Sequence, residues 1–124
     1  MSKVPHIVII DDDGSVRDAT SNLLRALGYS VAVFSSAEEF LKSNTIQNAS
    51  CLITDVQMPG MSGVEFQQHV LAAGHRTPII IMTACPTDAL RARVMQKGAV
   101  GFLTKPLCQQ ELLTALDRVL NLAR

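Results

Sequence analysis

Four apolar runs in this chain each stop at a residue capable of chemistry. Ile7-Val8-Ile9-Ile10 stops at Asp11-Asp12-Asp13-Gly14, and Cys51-Leu52-Ile53-Thr54 at Asp55. Ile79-Ile80-Ile81-Met82 stops at Thr83, and Val100 to Thr104 at Lys105-Pro106. Runs rich in β-branched residues, with no polar alternation, suit strands covered on both faces, as in a parallel sheet.

Between the runs the pattern changes period. The first strand spans Val4 to Ile10, and a helix follows over Ser15 to Leu27, with Val16, Ala19, Leu23, Leu24 and Leu27 at helical spacing and Gly28 as the stop. Ser30 to Phe34 is a short second strand that ends at Ser35 with nothing comparable to the four reactive ends. Ser36-x-x-Glu39 reads as a capping box opening a helix through Leu41, and Ser43 to Ser50 as a polar connection. After Asp55 comes a Pro59-Gly60 turn, then Ser62-x-x-Glu65, a second capping box, with a helix to Ala73 broken at Gly74. The fourth strand is Pro78 to Met82. A helix from Thr87 to Lys97 turns Leu90, Val94 and Met95 inward and closes at Gly98. After the fifth strand, Val100 to Thr104, the last helix spans Gln109 to Leu122 with Leu112, Leu113, Leu116, Val119 and Leu120 on one side.

Five strands alternating with five helices predict βαβ units that close right-handed, an α/β, doubly wound (βα)5 fold with a five-stranded parallel sheet. Ligand sites in such sheets lie outside the carboxyl ends of the strands, where the strand order reverses. In the order 2-1-3-4-5 the third strand is central, so Asp11 and Asp12 flank Asp55 on one side and Thr83 and Lys105 on the other. Strands are about 4.8 Å apart, so an extended Lys two strands away reaches back to the centre.

Length and composition narrow the function classes. A chain of 124 residues with 48% hydrophobic residues is read as one domain, 1–124, with a full core and no need of staples. Eleven basic residues balance eleven acidic ones, which leaves no basic footprint for nucleic acid. The three cysteines form no C-x-x-C pair and read as free thiols of a reducing compartment. No apolar run approaches the roughly 20 residues of a membrane span, so a cytoplasmic protein without membrane contact is expected.

Placing Asp11 or Asp12 about 5 Å from Asp55 costs about 3 kcal/mol per pair at an effective dielectric near 20. A cation or a proton must offset that repulsion. Lys105 supplies one charge; few carboxylates and an open rim suit Mg2+, with Mn2+ as the alternative. A carboxylate nucleophile, a metal, a Lys and a hydroxyl donor are the equipment of phosphoryl transfer.

The chain resembles a response-regulator receiver domain of two-component signalling, a flavodoxin/CheY-like fold. The resemblance runs from about His6 to Leu122 and rests on five elements in the family's order and spacing. These are Asp11-Asp12, Asp55 with Met58-Pro59-Gly60-Met61-Ser62-Gly63, Thr83-Ala84, Lys97-Gly98-Ala99 with Phe102, and Lys105-Pro106. The details are most similar to the FixJ branch, whose members often carry a DNA-binding output domain, and so imply a role in transcription regulation. The resemblance implies that Asp55 accepts a phosphoryl group from a sensor histidine kinase or phosphotransfer protein. Asp12, assisted by Asp11, would hold Mg2+ with Asp55 and the backbone carbonyl of Gln57. Lys105, followed by a cis bond to Pro106, would pair with the phosphoryl oxygens. Thr83 and Ala84 would meet the phosphoryl group and Phe102 would follow Thr83 inward, switching the face of the fourth helix, fifth strand and fifth helix for homodimerisation or for control of an output domain outside this chain. Such a domain is a signalling module that catalyses only its own phosphorylation and dephosphorylation.

The turn after Thr83 departs from the Gly-rich, His-bearing form common in FixJ-like chains. It reads Ala84-Cys85-Pro86-Thr87, so Cys85, with Gln57, is expected to tune the phosphoryl lifetime. Asp13 reads as a helix N-cap, and His6, His69 and His75 have no ligand spacing. Arg91, Arg93 and Lys97, set against Glu111 and Asp117, form either a dimer contact or a solvated face. Two rival functions share these residues. Asp11-Asp12-Asp13-Gly14-Ser15 also resembles the opening of a haloacid-dehalogenase-type phosphatase, with Asp11 as nucleophile and Asp13 as acid, although no acidic pair follows Lys105 and Asp55 would have no role. The other rival is a pseudo-receiver, a protein-binding module that never carries phosphate; the complete set of acids, Thr83 and Lys105 speaks against it.

Overall fold

The computed structural model describes residues 4–122. Five parallel strands, β1 (His6–Ile10), β2 (Ser30–Phe34), β3 (Cys51–Asp55), β4 (Ile79–Thr83) and β5 (Gly101–Thr104), lie in the order β2-β1-β3-β4-β5. Between and after them run α1 (Gly14–Ala26), α2 (Ala37–Leu41), α3 (Gly63–Ala72), α4 (Asp88–Gln96) and α5 (Gln109–Leu122). This is the doubly wound α/β sheet expected from the alternation of patterns.

The uninterrupted apolar runs bury both faces of the sheet because successive side chains of a strand point to opposite sides. Ile7 and Ile9 of β1, Cys51 and Ile53 of β3, and Ile80 and Met82 of β4 join Leu24, Leu112, Leu116 and Val119 beneath α1 and α5. Val8, Ile10, Leu52, Ile79 and Ile81 join Phe40, Phe66, Val70 and Val94 beneath α2, α3 and α4. Phe40 stands edge-on to both Phe34 and Phe66, with ring centroids 5.3 and 5.6 Å apart. Each of these layers removes several fully buried side chains from water, at about 1.5–3 kcal/mol apiece.

The helix ends follow local chemistry. Asp13 caps α1, accepting at Oδ1 from the Ser15 amide, the Ser15 hydroxyl and the Val16 amide. Ser62 and Glu65 form the expected capping box of α3. The expected box at Ser36 is only half made. Ser36 accepts from the Glu39 amide, but the Glu39 carboxylate turns to the amide and hydroxyl of Ser35 instead. Gly28, Gly74 and Gly98 end α1, α3 and α4 with φ of 96°, 87° and 106°.

Further expectations are corrected. Val4 lies 60% exposed ahead of β1, whose ladder opens at the pair His6–Ser30. Met95 does not face inward; it is 40% exposed, because Val94 occupies the inward direction and a neighbour in sequence lies about 100° further round the helix. Leu27, at the C-cap of α1, and Val100, ahead of β5, are likewise exposed. The connection between α2 and β3 contains a short 3-10 turn, Thr45–Gln47, that polar composition gave no reason to expect. Gln67 on α3 is 1% exposed and donates from Nε2 to the Val94 carbonyl at 3.0 Å, tying α3 to the end of α4.

Candidate functional site

Strand register assembles the site. Ile9 pairs with Ile53 and Ile10 with Thr54, so the next step sets Asp11 beside Asp55; Asp55 itself pairs with Met82, and Met82 with Leu103. Pleat alternation then puts Asp11 and Asp55 on the side of the sheet that carries α1 and α5, and Lys105, two residues past Leu103, continues on that side. Thr83 shares the alternation of Ile79 and Ile81 and belongs to the opposite layer.

Side-chain geometry agrees with the register. Asp11, Asp12 and Asp55 each offer a carboxylate oxygen within 4.8 Å of the others. Asp11 is fully buried and Asp55 is 5% exposed, whereas Asp12 is exposed. Lys105 Nζ bridges the two buried acids, 2.6 Å from Asp11 Oδ2 and 3.2 Å from Asp55 Oδ2. Burial raises the Asp55 carboxyl above its ordinary value and the neighbouring Asp11 adds to that; the pull of Lys105 and the Val56 amide does not outweigh them. For Lys105, burial acts to lower the ammonium, but the bonds and charges of Asp11 and Asp55 prevail and the net shift is upward.

The surrounding loops are tied to the backbone. The Val56 amide donates to Asp55 Oδ1 at 2.9 Å and the Asp13 amide to Asp11 Oδ1 at 3.0 Å. The Gly63 amide donates to the Val56 carbonyl at 2.9 Å, drawing the start of α3 against the end of β3. A Cβ at Gly63 would collide with the Asp55 carbonyl and stand 2.9 Å from Val56 Cα, so only glycine fits there. Gly60, at φ 79°, is needed for its conformation, and the side chain of Glu38 closes over it. Glu38 reaches across from α2 to accept from the Met61 amide at 3.0 Å, and that bond holds its carboxyl below the ordinary range.

The remaining expected residues are placed as follows. Thr83 is buried, and its Oγ1 accepts from the Cys85 amide at 3.1 Å. Ala84, Cys85 and Gln57 are exposed on the loops around the acids. Phe102 is half-buried, packed against the layer beneath α2, α3 and α4. The Lys105–Pro106 bond is cis. Sequence reasoning missed two contributors: Glu38, whose contact spans 23 residues, and Arg17, which donates from Nη1 to the Asp11 carbonyl at 2.7 Å. A cation one turn into a helix that starts at an acidic loop was the available signal for Arg17; nothing local marks Glu38.

An all-oxygen cluster with two buried acids, one exposed acid and an open rim fits a hard divalent ion of the Mg2+ type, which keeps several of its own waters. Asp13, the acid of the phosphatase alternative, is instead committed to the N-cap of α1.

Comparison with known proteins agrees with this geometry. The profile of the family described as response regulator receiver domain matches residues 7–117. The response regulator protein TodT of Pseudomonas putida is 41% identical over 117 residues, covering 94% of this chain and 52% of TodT. The transcriptional regulatory protein FixJ of Bradyrhizobium diazoefficiens is 37% identical over 116 residues, 94% of this chain and 56% of FixJ. The solved structure of response regulator StyR superposes with a TM-score of 0.89 at 39% identity, over 97% of this chain and 61% of StyR. The chain thus spans about half the length of the curated relatives it matches. Among the described residues no helix is long and apolar enough to cross a membrane. The matched span takes in the whole sheet except His6 and the whole acidic cluster, and the chain belongs to the response regulator receiver domain family, the receiver of two-component signalling.

Proposed function

We propose that Asp55 is the phosphoacceptor of this receiver and that the acids of the β1–α1 loop serve its metal. The observation that carries this reading is the Lys105 ammonium shared between Asp11 and Asp55 at the carboxyl ends of central strands, with Asp12 open beside them. Asp12, Asp11, Asp55 and the Gln57 carbonyl would hold Mg2+, which when bound neutralises charge on the transferred group. A carboxylate oxygen of Asp55 attacks the phosphorus of a phosphohistidine on a sensor kinase or phosphotransfer protein. The P–N bond breaks, its electron pair stays on the imidazole, and an acyl phosphate forms on Asp55.

Lys105 then transfers its attraction to the phosphoryl oxygens, and the Thr83 hydroxyl gives up the Cys85 amide to meet them. Phe102, at the border of the same layer, follows Thr83. A groove of about 480 Å3 between α4, β5 and α5, lined by Arg91, Met95, Phe102, Glu111 and Arg118, is the face that would change for homodimerisation or for contact with an output domain. Cys85 and Gln57, exposed at the rim, would govern the approach of hydrolytic water. We further propose a cytoplasmic setting and, by the relation to TodT and FixJ, an output in transcription regulation exerted by another domain.

Incubation with acetyl phosphate and Mg2+ tests the assignment. A hydroxylamine-sensitive phosphoryl label is expected on the wild type and absent from Asp55→Asn. Label that persists in Asp55→Asn and vanishes in Asp11→Asn would overturn it, as would failure of the wild type to bind beryllofluoride at millimolar Mg2+.

A further inference from the structure

Every polar atom of Asp11 is engaged. Its amide donates to the Phe34 carbonyl at 3.1 Å, Oδ1 accepts from the Asp13 amide and Oδ2 pairs with Lys105. Its carbonyl accepts from Arg17 Nη1 at 2.7 Å, a charge-assisted bond at the short end of the range. Three of these contacts belong to the sheet, the loop backbone and the site itself. The fourth is made by a long side chain that folds back from α1. Its guanidinium lies along the loop, close enough that a Cβ at Gly14 would stand 3.3 Å from Nη2.

The carbonyl oxygen of Asp11 and the Cα of Asp12 share one rigid peptide plane. Fixing the oxygen therefore fixes where the Asp12 Cα sits and narrows the directions in which its carboxylate can leave. Asp12 needs such help: it is exposed, and among the described residues no hydrogen bond holds its carboxylate. We propose that Arg17 is a positioning residue for the metal site, holding the Asp11–Asp12 peptide so that Asp12 faces the cation. This rests on the reading of the acidic cluster as a Mg2+ site. Partners that orient metal ligands in this way typically change affinity 10–100-fold when removed.

The sign of the effect separates positioning from simple charge. Deleting a cation next to three acids should, by Coulomb's law alone, tighten the binding of a divalent ion. Positioning predicts the opposite. In calorimetric titrations with MgCl2, Arg17→Ala is expected to weaken Mg2+ binding about ten-fold or more, and Arg17→Lys, which retains a donor and the charge, to recover part of the loss. Melting without Mg2+ reports whether each variant folds. Should Arg17→Ala lack a transition, Arg17→Met, which keeps the apolar stem without a donor, takes its place with the same expected weakening. Equal or tighter Mg2+ binding in the folded, donor-free variant would overturn the role of Arg17 while leaving the metal site standing. A wild type that binds no Mg2+ would overturn both.

Discussion

The Lys105 ammonium lies closer to Asp11 than to Asp55, 2.6 Å against 3.2 Å, and the Asp11 side chain has no exposed surface at all. The metal-free site therefore depends on Lys105 as the counter-ion of a buried acid, before any phosphoryl group arrives. Lys105→Met leaves the Asp11 carboxylate without its ion-pair partner. Breaking a buried pair from one side costs about 3–5 kcal/mol, so the urea midpoint of the metal-free variant should fall steeply, and saturating Mg2+ should restore part of it. In the wild type the ammonium is raised above its ordinary 10.5, so its stabilisation is complete below that pH and is lost as pH climbs through the higher folded value.

Asp55 runs in the opposite sense. Its carboxyl is raised from the ordinary 3.8, chiefly by burial, so the folded state binds the proton more readily than the unfolded chain. Stability is then lost as pH rises from 3.8 through the raised folded value. Asp55→Asn removes this penalty and should raise the metal-free Tm by a few degrees at neutral pH. Melting curves across an acid-to-neutral series should show the gain shrink toward zero below 3.8, and a variant less stable than the wild type at neutral pH would contradict the assigned shift.

Gly63 is a tight point of the loop behind Asp55. Gly63→Ala drives a methyl group against the Asp55 carbonyl and Val56 Cα, neither of which is free to move without shifting β3. Overpacking of this kind costs about 1–3 kcal/mol. Chemical denaturation should show that loss, and acetyl phosphate labelling should slow even in the fraction that remains folded, because the carboxylate of Asp55 moves with its backbone. Gly28→Ala, where a Cβ meets nothing within 4 Å and only the positive φ is at stake, should leave the labelling rate unchanged.

The central strands β1, β3 and β4 were legible because they are buried on both faces and nearly all apolar, a pattern that amphipathic elements do not share, and the less buried edge strands β2 and β5 as brief runs in the same alternation. With them came the order of reactive strand ends, and hence Asp11, Asp55, Thr83 and Lys105. Helix interiors were less legible. Met95 is as apolar as Leu90 but follows Val94, and composition alone does not say which of two neighbours faces the core. Glu39 stands at the box position for Ser36, yet a competing pair of donors on Ser35 takes its carboxylate. Gln67 and Glu38 are fixed by contacts 27 and 23 residues away, which no local pattern encodes.

Strand alternation turns Asp11, Asp55 and Lys105 toward one layer and Thr83 toward the other, all four at or just past the carboxyl ends of their strands. Chain length is for that reason as strict a requirement as residue identity. Deleting a single residue within β4 would keep every reactive side chain in the sequence, yet every side chain beyond the deletion would change sides and Thr83 would turn toward α1 and α5. Among natural relatives, insertions and deletions should therefore gather in segments such as Ser43 to Ser50, where one residue more or less changes no parity.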